Sequence, residues 1–179
     1  MLIDIRTLIR QTDTTLDLDL VFPPEAFQLL REELWIKLPV SFVGQLHHTA
    51  DGELNLTGTL KATVEGMCVR CLEPVTLSLE TEVNEIFLPE KAALDAIVAA
   101  AALGDTDFAE PYAYNGRSLD IEQALRDNLI PQLPEQPVCR ADCSGLCPVC
   151  GADLDQNPCE CQVEAAGKDS PFADLKILL

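Results

Sequence analysis

The 179-residue chain carries 30 acidic and 12 basic side chains, a formal net charge of −18, and 47% of its residues are hydrophobic. This composition predicts one sizeable core with a small appendage, and the charge disfavours extensive binding to a phosphate backbone. No apolar run reaches the roughly 18 to 20 residues of a membrane helix, and residues 1–10 lack the apolar run of a secretory signal. We therefore expect a cytoplasmic protein with no membrane partner.

Alternating apolar and polar residues predict an antiparallel sheet in the first half of the chain. The predicted strands lie near residues 2–8, 16–20, 36–46, 53–65 and 75–87. Asp51 and Gly52 supply a hairpin turn between the third and fourth strands. The expected architecture is a twisted antiparallel sheet or partial barrel of about five strands.

One or two helices are expected beside the sheet, which makes the fold α+β. The Ala-rich run 91–107 has helix propensity but no clear apolar face, so it predicts either a peripheral helix or an insertion. An amphipathic helix is predicted near 118–130, with Asp120 as its cap. We expect residues 1–134 to form a mainly antiparallel β core with this helix. Residues 135–179 are expected to form a cysteine-rich module and tail docked on the core.

The eight cysteines are spaced like metal ligands. They are Cys68, Cys71, Cys139, Cys143, Cys147, Cys150, Cys159 and Cys161. The segment 147–151, Cys-Pro-Val-Cys-Gly, has the pattern of a zinc knuckle, because two intervening residues let both sulfurs reach one tetrahedral ion. Cys68 and Cys71 have the same spacing at the tip of a predicted hairpin. In a reducing compartment such pairs indicate metal binding rather than disulfides.

Eight cysteines and no well-placed histidine predict two structural zinc sites of four thiolates each. The short loops favour one site made of Cys147, Cys150, Cys159 and Cys161. The other site would then consist of Cys68, Cys71, Cys139 and Cys143. Swapped pairings, or a single zinc with spare thiols, remain open. Eight thiolates outweigh the charge of two Zn²⁺ ions, so the zinc-loaded protein is more acidic still.

No catalytic site is predicted. Four-thiolate zinc sites are closed, and the sequence contains no nucleophile and base pair and no phosphate-binding loop. His47 and His48 are interpreted as exposed residues at the end of a strand. A thiol redox function remains the alternative, although redox pairs usually begin a helix in a βαβ unit, and Cys68 and Cys71 lie between antiparallel strands.

Four blocks of the chain carry a family resemblance: 67–72 (Met-Cys-Val-Arg-Cys-Leu), 119–121 with the end of the following helix at Leu129, Ile130, Pro131 and Leu133, 143–154, and 170–176. On these blocks the chain resembles the YceD family of large ribosomal RNA subunit accumulation proteins. The resemblance implies a role in the synthesis, processing or stability of large-subunit (23S) ribosomal RNA, with no established enzymatic activity.

The negative charge suggests how such a role is carried out. An acidic surface suits an adaptor for a basic ribosomal protein or assembly factor on a pre-large-subunit particle. Direct RNA contact is left open. The alternative from another functional class is a zinc/thiol redox-sensing protein.

Overall fold

The structure, a computed structural model, describes residues 2–27, 34–105 and 108–161. Within them the chain forms eight strands: β1 (Leu2–Asp4), β2 (Thr14–Phe22), β3 (Leu34–Ile36), β4 (Val40–His48), β5 (Leu54–Met67), β6 (Pro74–Pro89), β7 (Tyr112–Tyr114) and β8 (Ser118–Asp120). It also forms two α-helices, α1 (Glu90–Leu103) and α2 (Glu122–Leu129). Short 3-10 helices cover Leu8–Arg10, Pro24–Phe27 and Ile130–Gln132. None of the described helices is long and apolar enough to cross a membrane.

The main sheet is mostly antiparallel, which confirms the predicted α+β class with two helices. Its strand order is β2-β4-β5-β6-β7, with β3 paired to β5, and β6 and β7 run parallel. Strands β1 and β8 form a separate two-stranded sheet. Among the described strands, β2 and β7 remain edges of the main sheet, so this sheet does not close into a barrel.

The core follows from the two-residue period of the strands. Leu54, Leu56 and Leu60 lie on one face of β5 and are fully buried. Because successive side chains of a strand point to opposite faces, this parity places one apolar row against the core. Helix α2 adds buried Leu125 and Leu129 to the same cluster, as its amphipathic pattern predicts.

The predicted strand 36–46 is two strands. β3 ends at Ile36 and β4 begins at Val40, and Leu38 between them is exposed. Pro39 has no amide hydrogen for a ladder bond and restricts the backbone of the residue before it, so it interrupts the pairing. Leu38 therefore continues the alternating pattern but lies in the connection between β3 and β4.

A close approach of two strands requires glycine at Gly44 and Gly58, which are paired across β4 and β5. A Cβ on Gly44 would clash with the Thr57 carbonyl oxygen and lie 2.7 Å from the ring of buried Phe42. A Cβ on Gly58 would lie 2.7 Å from the same ring. The missing side chains thus make room for the Phe42 ring in the core.

The two helices agree with the predictions in kind and differ in their bounds. The Ala-rich run forms helix α1, which ends at Gly104 in a left-handed conformation (φ 68°). The helix predicted near 118–130 begins later, because Ser118–Asp120 forms strand β8. The Asp120 carboxylate accepts a hydrogen bond from the Glu122 amide at 3.1 Å and so contributes to the start of α2.

The chain divides into two compact units. One comprises Met1–Gly66 and Thr76–Glu135, and the other comprises Met67–Val75 and Gln136–Leu179. All eight cysteines belong to the second unit. The division at residue 134 and the docking of 135–179 on the core stay predictions. The block 170–176 lies outside the described residues.

Candidate metal centres

The connection between β5 and β6 positions the first pair of thiols. We call the turn of Cys68 to Leu72 the hairpin knuckle. The Leu72 amide donates to the Cys68 carbonyl at 2.9 Å, and the Arg70 amide points at the Cys68 sulfur at 3.4 Å. The thiols of Cys68 and Cys71 are both buried. An amide aimed at sulfur stabilises a thiolate there.

Cys139 and Cys143 complete a group of four with this pair, which we call the hairpin cluster. The Cys71 and Cys139 sulfurs are 3.6 Å apart, and those of Cys68 and Cys143 are 3.9 Å apart. All four sulfurs lie within 4.8 Å of one another. With zinc–sulfur bonds of about 2.3 Å, the sulfurs of a tetrahedral site lie about 3.8 Å apart. The cluster therefore has the size that a tetrahedral metal ion requires.

Arg70 holds the two halves of the hairpin cluster together. Its guanidinium group donates to the carbonyl oxygens of Cys143 at 2.9 Å and Ala141 at 3.4 Å. Nearby, the Val69 amide donates to the Pro137 carbonyl at 2.9 Å. These bonds fix the segment that carries Cys139 and Cys143 against the hairpin knuckle.

The remaining thiols, Cys147, Cys150, Cys159 and Cys161, form a second group, the C-terminal cluster, with sulfurs within 4.8 Å of one another. Residues 147–151 form the C-terminal knuckle. Its Gly151 amide donates to the Cys147 carbonyl at 2.9 Å, and the Val149 amide points at the Cys147 sulfur at 3.4 Å. Gly151 has φ 73°, the left-handed conformation that glycine adopts without steric cost.

The thiols of each cluster differ in acidity. Burial raises the pKa of Cys68, but hydrogen bonds from backbone amides outweigh it and bring the pKa to about 6. Backbone amides of the C-terminal knuckle lower the pKa of Cys147 to about 6. By contrast, burial raises the pKa of Cys143 to about 12, and hydrogen bonds to neighbouring thiols raise that of Cys161 to about 12. Four adjacent sulfurs cannot all ionise without a cation to balance them.

The eight predicted site residues thus fall into two groups of four, each of which could hold a metal ion. These are the two groups that the loop lengths favour. Neither histidine belongs to a cluster among the described residues. His48, interpreted as exposed, is buried, and its Nδ1 lies 2.8 Å from the Gln11 carbonyl oxygen. The sequence did contain a signal for this burial, because His48 lies two residues after buried Leu46 on β4 and so points to the same face of the strand.

Two side chains that order this unit were not among the predicted site residues. One is Arg70. The other is Asp155, whose carboxylate accepts a hydrogen bond from the Ser144 amide at 3.0 Å and pairs with Arg140 at 2.5 Å. Bonds from Ser144, with the Arg140 charge, lower the pKa of Asp155 to about 2. The sequence places Arg70 between two metal-spaced cysteines, but it gave no signal for the carbonyl partners of Arg70 or for the pairing of Asp155.

The sequence of the chain is similar to proteins of known family. The model of the family described as "Large ribosomal RNA subunit accumulation protein YceD" matches residues 56–179, which include both clusters. No solved structure is significantly similar to the chain.

Relatives come from bacteria and plants. An uncharacterised protein of Mycobacterium tuberculosis strain H37Rv is 35% identical over 103 residues, which are 58% of this chain and 46% of the relative. An uncharacterised protein of Mycobacterium leprae is 32% identical over 103 residues, 58% of this chain and 44% of the relative. The maize "Large ribosomal RNA subunit accumulation protein YCED homolog 1, chloroplastic" is 26% identical over 131 residues, 62% of this chain and 45% of the relative.

The matched part of the chain therefore spans less than half the length of these relatives. The family model matches well over half of this chain and includes the hairpin knuckle and the C-terminal knuckle. Its description names an accumulation role for large-subunit ribosomal RNA and no reaction. The chain belongs to the YceD family of large ribosomal RNA subunit accumulation proteins.

Proposed function

We propose that this chain is a non-enzymatic, cytoplasmic factor in large ribosomal subunit biogenesis. It would support the synthesis, processing or stability of 23S ribosomal RNA as an acidic adaptor for a basic ribosomal protein or assembly factor on the pre-large-subunit particle. The family description supports the coarse role. The net charge of −18 is the observation that supports an adaptor for a basic partner.

The state of the basic residues supports a protein partner over naked RNA. Among the residues that the structure describes, five cations lie between 2.5 and 3.3 Å from a carboxylate: Arg6, Lys37, Lys61, Arg126 and Arg140. The Arg70 guanidinium is bonded to backbone carbonyls. A cation already paired within the protein gains less from a phosphate, because its present partner must first be displaced. Six of the nine basic residues in the described part of the chain are therefore engaged within the protein and less available to an RNA backbone.

In this proposal each cluster binds one zinc ion, and the ions are structural. Eight thiolates in groups of four suit Zn²⁺, and a four-thiolate site has no open position for a substrate. The redox-sensing alternative is not favoured. The family description names an RNA accumulation role, and the cysteines lie in groups of four rather than in isolated reactive pairs.

Binding to purified components tests the adaptor role. The full-length protein, purified under reducing conditions, is mixed at low salt with proteins extracted from large ribosomal subunits and, separately, with naked large-subunit ribosomal RNA. We expect saturable binding to a basic ribosomal protein and little affinity for the RNA. Because screening weakens either interaction as salt rises, salt dependence does not discriminate between them, and the identity of the bound component decides. Tight binding to protein-free RNA contradicts the adaptor role.

A further inference from the structure

The hairpin knuckle and the C-terminal knuckle have the same backbone design. In each, the first cysteine sulfur lies 3.4 Å from the amide two residues later, and its carbonyl accepts the amide four residues later at 2.9 Å. The residue that closes the turn has a positive φ in both, 63° at Leu72 and 73° at Gly151. The two turns therefore differ in the residue that occupies one equivalent position.

Leu72 occupies the position that suits glycine. A left-handed backbone brings the Cβ of an L-residue close to the following carbonyl, and a bulky side chain there is an outlier. Burial of the side chain does not offset this cost, because Leu72 is 55% exposed. In the free protein this leucine is thus unfavourable both for its backbone and for its contact with water.

Other exposed apolar side chains lie close to Leu72 in the chain. Met67 is 46% exposed and Val69 is 43% exposed, so three apolar side chains within six residues face solvent. We call Met67, Val69 and Leu72 the knuckle tip. Exposed apolar residues grouped in this way are typical of interaction sites.

The charges around the knuckle tip indicate the chemistry of its partner. Glu73 follows Leu72 directly and is exposed, and the chain as a whole carries a net charge of −18. Arg70, the cation within the knuckle, donates to carbonyls of its own unit. An apolar tip beside negative charge is complementary to a protein segment that presents an apolar side chain flanked by lysine or arginine.

We propose that the knuckle tip is the docking surface for the basic protein partner, with Leu72 as its central apolar anchor. This inference rests on the proposed adaptor function. It accounts for a leucine where the equivalent knuckle has glycine, because contact with the partner would bury the side chain that the free protein leaves in water.

Two substitutions at Leu72 separate the effect of the apolar side chain from the effect of the left-handed backbone. Leu72→Ala removes the anchor and keeps a Cβ in the left-handed conformation, whereas Leu72→Gly removes both. We expect both variants to bind at least about 10-fold more weakly to the large-subunit protein that the wild type captures. We also expect Leu72→Gly to unfold at a higher denaturant concentration than Leu72→Ala. Val149→Ala is the matched control, because Val149 is a 62% exposed apolar residue of the other knuckle, and it should bind like the wild type.

The outcomes separate the docking surface from the adaptor function. If the wild type binds the large-subunit protein and both Leu72 variants bind it equally well, the proposed docking surface is wrong and the adaptor function stands. If the wild type captures only naked ribosomal RNA, both proposals fail. Concentration-dependent dimerisation that Leu72→Ala abolishes would show that a second copy of the chain covers the tip, and would overturn the basic partner. Loss of binding in both Leu72 variants, with Val149→Ala unchanged, supports the proposal.

Discussion

The amide of Leu146 donates a hydrogen bond to the carbonyl oxygen of Arg70 at 3.0 Å. This bond joins the residue before Cys147 to the middle of the hairpin knuckle, so a backbone hydrogen bond links the two candidate metal centres. Gly145, at φ 74°, lies against the same carbonyl, and a Cβ there would be 2.9 Å from the Arg70 oxygen.

Gly145→Ala should therefore destabilise the second unit by about 1 to 3 kcal/mol, since it adds a backbone clash to an unfavourable φ. Hydrogen exchange of the Leu146 amide measures the effect. Gly151→Ala is the matched control, because Gly151 belongs to the same unit and has φ 73° and nothing within 4 Å of an added Cβ. Equal destabilisation by the two substitutions would show that the contact with Arg70 contributes nothing.

The purified protein should contain two zinc ions per chain, and Cys147→Ser should reduce the content to one. Removal of one of four thiolates weakens the C-terminal site without touching a ligand of the hairpin cluster. Elemental analysis gives the count, and amide exchange should show lost protection in 144–161 with β4 and β5 still protected. Val149→Ser, a change in the same knuckle outside the ligands, should retain both ions. Metal-free protein with native disulfides contradicts the two-site proposal.

Alkaline pH should destabilise the protein through its tyrosines. Burial and a 2.8 Å hydrogen bond to the Asp127 carboxylate raise the pKa of Tyr112, and burial raises that of Tyr114. Because the folded pKa exceeds the unfolded value of about 10, this contribution is present below pH 10 and is lost as the pH rises through the folded pKa. Tyrosinate absorbance should appear above the ordinary pKa, and Tyr112→Phe should weaken the pH dependence of stability. Titration of both tyrosines near pH 10 in the folded protein contradicts this.

Gly44→Ala should destabilise the main sheet by about 1 to 3 kcal/mol, because the added methyl group meets both the Phe42 ring and the backbone of β5. Denaturant unfolding measures the change. Val43→Ala, at the adjacent exposed position of β4, should have a smaller effect. A neutral Gly44→Ala would mean that the strands can move apart at this pair.

Much of the sheet could be predicted because its strands have one buried face. β5 alternates over its length, so the predicted strand 53–65 and the observed Leu54–Met67 nearly coincide. Pairing between distant segments could not be predicted in this way. The parallel contact of β7 with β6 and the pairing of β1 with β8 depend on tertiary packing and not on local period.

The candidate site could be predicted to the level of its ligand types. The spacing of the cysteines predicts that they are metal ligands, and the short loops favour the two groups of four that the structure contains. The conformation of Leu72 could not be predicted, because glycine is the usual sequence signal for a positive φ and leucine gives none. The role of Arg70 depends on carbonyls about seventy residues away, which the sequence alone does not bring together.

Crosslinking on native pre-large-subunit particles tests the adaptor role most directly. A carbodiimide joins a carboxylate to a lysine amine in direct contact, whereas ultraviolet light joins protein to RNA in direct contact. We expect carbodiimide crosslinks from carboxylates of this chain to lysines of a large-subunit protein, and few ultraviolet crosslinks to ribosomal RNA. Abundant ultraviolet crosslinks to the RNA, with no carbodiimide crosslink to any ribosomal protein or assembly factor, would rule out the adaptor role.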